Sequence, residues 1–120
     1  MRLLLPNLFV LISITVSACG GSGQAASSAP AGQELFVSHC SACHGPAGAG
    51  ITGLGKPLTT SDFVGDLSDE ELLTFIKVGR SPDDPLNTSG IAMPPKGGNP
   101  ALTDEQLQAI IAYIRSIRPE

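Results

Sequence analysis

Cys40, Cys43 and His44 stand in the pattern C-x-x-C-H, Cys40-Ser41-Ala42-Cys43-His44, the spacing at which a chain attaches haem covalently. Thiols three residues apart on a helix lie on nearly one face, so both can add to the two vinyl groups of a single porphyrin. His44 follows directly and can offer its imidazole to the iron. Other chemistries fit these residues less well. A structural zinc site wants four Cys or His ligands, usually in two separated pairs, whereas His39, Cys40, Cys43 and His44 crowd together and no second pair exists. A thioredoxin-type redox pair would accompany a βαβ pattern, which the chain lacks. A plain disulfide between Cys40 and Cys43 is the remaining alternative.

Met93 is the second candidate, the only methionine besides Met1. A lone methionine is commonly core filler. Met93, however, lies in Gly90-Ile91-Ala92-Met93-Pro94-Pro95, an irregular stretch rather than a helix face, and the two prolines stiffen the backbone behind it. A thioether paired with an imidazole raises the reduction potential of a low-spin electron-transfer haem by favouring ferrous iron.

From Gly32 to Ile117 the chain resembles a monohaem class I cytochrome c. The resemblance rests on Gly32-x-x-x-Phe36 ahead of Cys40-Ser41-Ala42-Cys43-His44-Gly45, on Met93-Pro94-Pro95, and on a closing amphipathic helix with Ala112-Tyr113-Ile114. It implies an all-α fold, a small cytochrome c of three to five helices wrapped around one covalently bound haem c. It further implies that His44 and Met93 are the iron ligands and that His39 is a surface or haem-edge residue. In the family a proline carbonyl after the haem motif accepts the other N–H of the proximal imidazole and orients the ring. Pro57, in Gly55-Lys56-Pro57-Leu58, is the matching position, with a simple turn proline as the alternative. Gly32, Phe36 and Tyr113 match the family's crossing of terminal helices, where a glycine allows close approach and aromatic rings fill the junction.

The elements that must position these residues can be read in turn. Leu35, Phe36, His39, Cys40 and Cys43 recur at helical spacing from Gly32 onward. Gly45 to Lys56, with five glycines and Pro46, reads as a wrapping loop. Ser68-Asp69-Glu70-Glu71 and Thr103-Asp104-Glu105-Gln106 are capping boxes, with Leu67/Leu72 and Leu102/Leu107 as their hydrophobic staples. The first helix should stop at Gly79. Leu107, Ile110, Ile111, Ile114 and Ile117 form the apolar stripe of the second. Between Arg80 and Ala101 no helix or strand pattern appears, and a loop of that length usually has a task; presenting Met93 is such a task.

The chain opens on a charged n-region, Met1-Arg2, and an apolar h-region, Leu3 to Val16, as a signal peptide does; an anchor that stays on is the alternative. Val16-Ser17-Ala18-Cys19-Gly20 resembles the lipobox of bacterial lipoproteins, which implies removal of 1–18 and lipidation of Cys19. A free thiol or an intermolecular disulfide is the other account of Cys19. Residues 19–31, rich in Gly, Ser, Ala and Gln, then read as a flexible lipid-anchored linker, reaching roughly 17 to 21 Å for about 12 residues, and 32–120 as the cytochrome c domain. The expected location is the periplasmic or outer face of a bacterial membrane.

The formal net charge is -4, more negative once Arg2 leaves with the leader, and there is no basic stripe that would suggest nucleic-acid binding. An acidic surface is steered toward a partner with a basic face. With few aromatics the protein core is thin, so the haem is expected to supply its apolar centre and the apoprotein to be largely unfolded. The function expected is electron transfer by a single His/Met-ligated haem c, with no side chain making or breaking bonds and thus no enzyme activity of its own. By resemblance to membrane-tethered cytochrome subunits of respiratory complexes, the partners would be a quinol-oxidising complex such as alternative complex III, a terminal haem-copper oxidase, or another cytochrome. Two alternatives remain. A labile Met93 would open the iron to peroxidase or small-ligand sensing chemistry, and a structural subunit would carry a haem off the electron path.

Overall fold

In the computed structural model, residues 29–119 are described; the leader 1–18, Cys19 and most of the linker lie outside them. The order is α1 (Ala29–His39), α2 (Ser41–His44), α3 (Asp62–Asp66), α4 (Asp69–Val78), a 3₁₀ turn (Pro95–Gly98) and α5 (Asp104–Ser116). Among the described residues there is no strand, only two isolated antiparallel bridges, Ile51 with Gly55 and Arg80 with Met93. The all-α expectation therefore holds. No helix among them is long and apolar enough to cross a membrane.

The core lies where α1 crosses α5. Phe36, Leu107, Ile110 and Ile111 are fully buried there, and the rings of Phe36 and Tyr113 meet at 5.2 Å with a 54° tilt. Gly32 makes the crossing possible, because a Cβ at that position would lie 1.8 Å from the carbonyl oxygen of Ala109. From α4, Leu72 and Ile76 join the same cluster. Helix α1 already includes Ala29, Pro30 and Ala31, so the end of the expected linker is helical.

Both capping boxes form. The Ser68 hydroxyl accepts from the N–H of Glu71 while the Glu71 carboxylate accepts from the N–H of Ser68, and Thr103 with Gln106 does the same for α5. Helix α3 was not expected from periodicity; five residues are too few to show it. Ser61 caps it by accepting from the N–H of Val64, and α5 holds it from a distance. Arg115 pairs with Asp69 at 2.9 Å and donates to the carbonyls of Val64 and Leu67. Other cations turn inward in the same way, Arg118 donating to the carbonyl of Leu58 at 2.6 Å and Lys96 to that of Leu102 at 2.7 Å.

Candidate haem centre

Cys40 sits at the joint between α1 and α2. Its N–H still closes the α1 ladder onto Phe36 at 2.8 Å, and its own carbonyl accepts from Cys43 and His44 at 3.2 and 3.0 Å. The helical spacing expected of the two thiols is thus kept across a slight break. Both cysteines are free and half-buried, so the disulfide alternative is not realised. Burial, helped by the nearby Cys43, pushes the Cys40 thiol up to about 11. At neutral pH Cys40 is therefore a protonated thiol, the opposite of the activated thiolate that a redox C-x-x-C relies on. Nor is there, among the described residues, a cluster of three or more His, Cys, Asp or Glu arranged to hold a metal ion.

His44 is oriented by the loop that follows it. Its Nδ1 lies 2.8 Å from the carbonyl oxygen of Lys56; with the proton on Nδ1, the Nε2 lone pair is left for a metal. This corrects the expectation for Pro57, because the accepting carbonyl belongs to the residue before it. The physical reason is the path of the loop: it folds back against the motif, and it is the Lys56 carbonyl, one residue before Pro57, that this path turns toward the ring. The loop itself folds back under the motif, Gly50 donating to the carbonyl of His44 at 2.7 Å and Leu58 to that of Gly48 at 2.8 Å.

Met93 comes from the other side of the chain. It exchanges two backbone hydrogen bonds with Arg80, each 2.9 Å, which seats it on the residue just past α4. Gly79, with φ at 72°, ends that helix, and a Cβ there would lie 2.2 Å from the Met93 carbonyl oxygen. The path of the methionine therefore depends on an unsubstituted residue at the helix end.

Cys40, Cys43, His44 and Met93 line one cavity of about 410 Å³, whose walls include Phe63 and Phe75, a size and character suited to a cofactor. Arg80 supplies a further test of fit. Its guanidinium carbon lies 4.6 Å from the centroid of Phe63 and 4.8 Å from that of Phe75, within cation–π range. The Asp84 carboxylate is 3.8 Å from Arg80 Nε, close enough to pair in charge but too far to accept a hydrogen bond. The buried Nε has no hydrogen-bond partner. Two thiols on one edge, an imidazole, a thioether, aromatic walls and an unsatisfied cationic donor fit a porphyrin that carries carboxylates.

The structure thus brings every described candidate to one place. Sequence reasoning missed Lys56, Arg80 and Asn87, whose side chain bridges the loop leading to Met93. The turn-forming run Asn87-Thr88-Ser89-Gly90 was a signal for the last, while the other two depend on loop paths that no short-range pattern encodes.

Comparison with known proteins points the same way. Residues 27–114 match the family described as "Cytochrome C oxidase, cbb3-type, subunit III". The cbb3-type cytochrome c oxidase subunit CcoP of Rhodobacter capsulatus is 31% identical over 106 residues, covering 80% of this chain and 32% of that one. Cytochrome c-555 of Prosthecochloris aestuarii is 31% identical over 83 residues, covering 69% of this chain and 81% of that one. The chain spans about a third of the length of the CcoP relatives. No solved structure is a significant match.

Proposed function

The chain belongs to the cytochrome c family that includes the cbb3-type oxidase subunit III, and from that premise we propose that it carries electrons through one haem c ligated by His44 and Met93. The observation that carries the reading is the convergence of Cys40, Cys43, His44 and Met93 on a single cavity. When bound, haem c supplies a one-electron ferric/ferrous couple. The protein's part is to hold and tune it. Cys40 and Cys43 are the thioether positions. The Lys56 carbonyl holds the His44 proton on Nδ1 and strengthens the imidazole as a donor. Met93 would be the second protein ligand, and its thioether would favour the ferrous state and keep small ligands out. Arg80 offers its unpartnered Nε to a carboxylate of the porphyrin edge.

The lipobox-like Val16-Ser17-Ala18-Cys19-Gly20 supports removal of the leader, lipidation of Cys19 and tethering to a membrane surface outside the cytoplasm. Several acyl chains hold far more firmly than one. A membrane-bound redox complex is the partner this reading favours, either a terminal oxidase or a quinol-oxidising complex, with another cytochrome as the exchange molecule. The oxidase is supported by a relative that carries the name of an oxidase subunit. In this role the chain makes and breaks no bonds of its own.

Absorption and potentiometry of the matured protein test the axial assignment. Wild type should show low-spin iron with a sulfur ligand, while Met93→Ala should become high-spin or ligand-accessible, bind carbon monoxide rapidly when reduced, and titrate at a lower potential. An unchanged spectrum removes Met93 from its role. For the tether, Cys19→Ala should move the protein from the detergent phase to the aqueous phase.

A further inference from the structure

We propose that Asn87 is the positioning residue that sets Met93, by stitching the two arms of the Arg80–Met93 loop together with its side-chain amide; this rests on the reading of Met93 as an axial ligand.

The loop has little apolar packing to hold it. Leu86 is 67% exposed and Ile91 41%, and Ser81, Pro82, Asp83, Pro85 and Thr88 face solvent. Its base is closed by the two backbone hydrogen bonds between Arg80 and Met93. Beyond that base, Asn87 supplies the only side chain that reaches both arms among the described hydrogen bonds. Its Nδ2 donates to the carbonyl of Ser81 at 2.9 Å on the outgoing arm and to that of Ile91 at 2.8 Å on the returning arm. Its Oδ1 accepts from the N–H and hydroxyl of Ser89, both at 3.0 Å, and from the N–H of Gly90 at 2.9 Å.

The orientation of the amide follows from its neighbours. Carbonyls face the nitrogen and the N–H groups of Ser89 and Gly90 face the oxygen, so a flipped amide would meet like against like at each of these four backbone contacts. Ser81 follows Arg80 directly and Ile91 precedes Met93 by two residues, so the Nδ2 stitch lies just outside the backbone pair. Two successive cross-links fix both the position and the direction from which Met93 reaches the cavity. Loss of the stitch would leave one cross-link and restore freedom to the residues before the methionine.

The two halves of the amide can be separated. Asn87→Asp keeps an acceptor for Ser89 and Gly90 but removes both donors and sets a negative oxygen against two carbonyls. Asn87→Ala removes both halves. In the holoprotein we would measure the sulfur-to-iron charge-transfer band against temperature, carbon monoxide binding to the reduced form, and helix melting by circular dichroism, with Met93→Ala as the control. Two hydrogen bonds of ordinary net strength correspond to about a tenfold or greater change in an equilibrium. Both Asn87 variants should therefore bind carbon monoxide about tenfold faster and lose the band at lower temperature, while helix melting shifts much less. If Asn87→Asp behaves as wild type, the stitch does not set the ligand, even where Asn87→Ala is impaired through the local turn. A fall of helix melting in step with the band would likewise overturn the inference, by making Asn87 part of global stability alone. If Met93→Ala itself leaves the band intact, the axial reading fails first and the positioning role falls with it.

Discussion

At the crossing of α1 and α5, Phe36, Leu107, Ile110 and Ile111 are sealed from water and Gly32 lets two backbones touch. In the segment that leads to Met93, Leu86 and Ile91 stay exposed, and position is kept by the Arg80–Met93 pair and the amide of Asn87. Burial is non-directional and cooperative, so it fixes the helices as a block. Hydrogen bonds in a solvated loop are directional but individually weak. The Met93 thioether, proposed above as a ligand, is thus carried by the part of the molecule best able to let go. The crossing holds the helices together; the loop holds Met93 in the cavity wall.

The largest effect should come from withholding the haem. The crossing alone is a small core, so Cys40→Ala with Cys43→Ala, purified without porphyrin, should be largely unfolded by circular dichroism. Cooperative melting of that apoprotein with native helicity would show that the crossing is self-sufficient. Next, Gly32→Val forces a side chain into the Ala109 carbonyl and should cost about 3 kcal/mol or more in holoprotein stability, read as a lower denaturant midpoint. The matching change in the loop is Gly79→Ala, where a positive φ and the Met93 carbonyl both oppose a methyl group. It should cost about 1 to 3 kcal/mol and, unlike Gly32→Val, should weaken the sulfur-to-iron band before the helices melt. If both glycine variants lose band and helicity together, the two regions form one cooperative unit.

The smallest effects belong to the caps. Ser68→Ala and Thr103→Ala should each cost about 1 kcal/mol, seen in denaturant melts with no change in the haem spectrum. The Glu71 carboxyl is held below its ordinary value, chiefly by the N–H of Ser68 and then by its hydroxyl. Its folded pKa is depressed, so its contribution is present above the ordinary carboxylate range and lost as pH falls through the folded value. Glu71→Gln should remove that part of the acid dependence, making the α4 cap resemble the Thr103/Gln106 cap of α5.

What could be read in advance follows the same division. The C-x-x-C-H spacing, both capping boxes and the stripe from Leu107 to Ile114 are local patterns, and each is realised. Helix α3 was invisible because Arg115, far along the chain, holds it. The partner of His44 fell on Lys56 instead of Pro57 because the choice between adjacent carbonyls depends on how the glycine-rich loop turns beneath the motif. Arg80 could not be assigned to the cavity without knowing that Phe63 and Phe75 meet edge to face at 4.9 Å beside it. That Met93 lies in an irregular, proline-bounded segment was legible from its neighbours, but the bonds of Asn87 across its loop were not.

The inward-turned cations have a consequence for encounters. Lys96 and Arg118 direct their charge onto backbone carbonyls, Arg115 divides its charge between carbonyls and Asp69, and Lys77 is matched by Asp104 at 2.8 Å. Glu34, Asp62, Asp66, Glu70 and Glu105 remain exposed. At the few ångströms where two proteins settle against each other, the outer face is therefore patchier than a net charge of -4 conveys, with Lys56 an exposed cation among these carboxylates. Productive collisions with a cationic surface should slow steeply as added salt shortens the screening length below about 10 Å, even though nothing at the iron has changed.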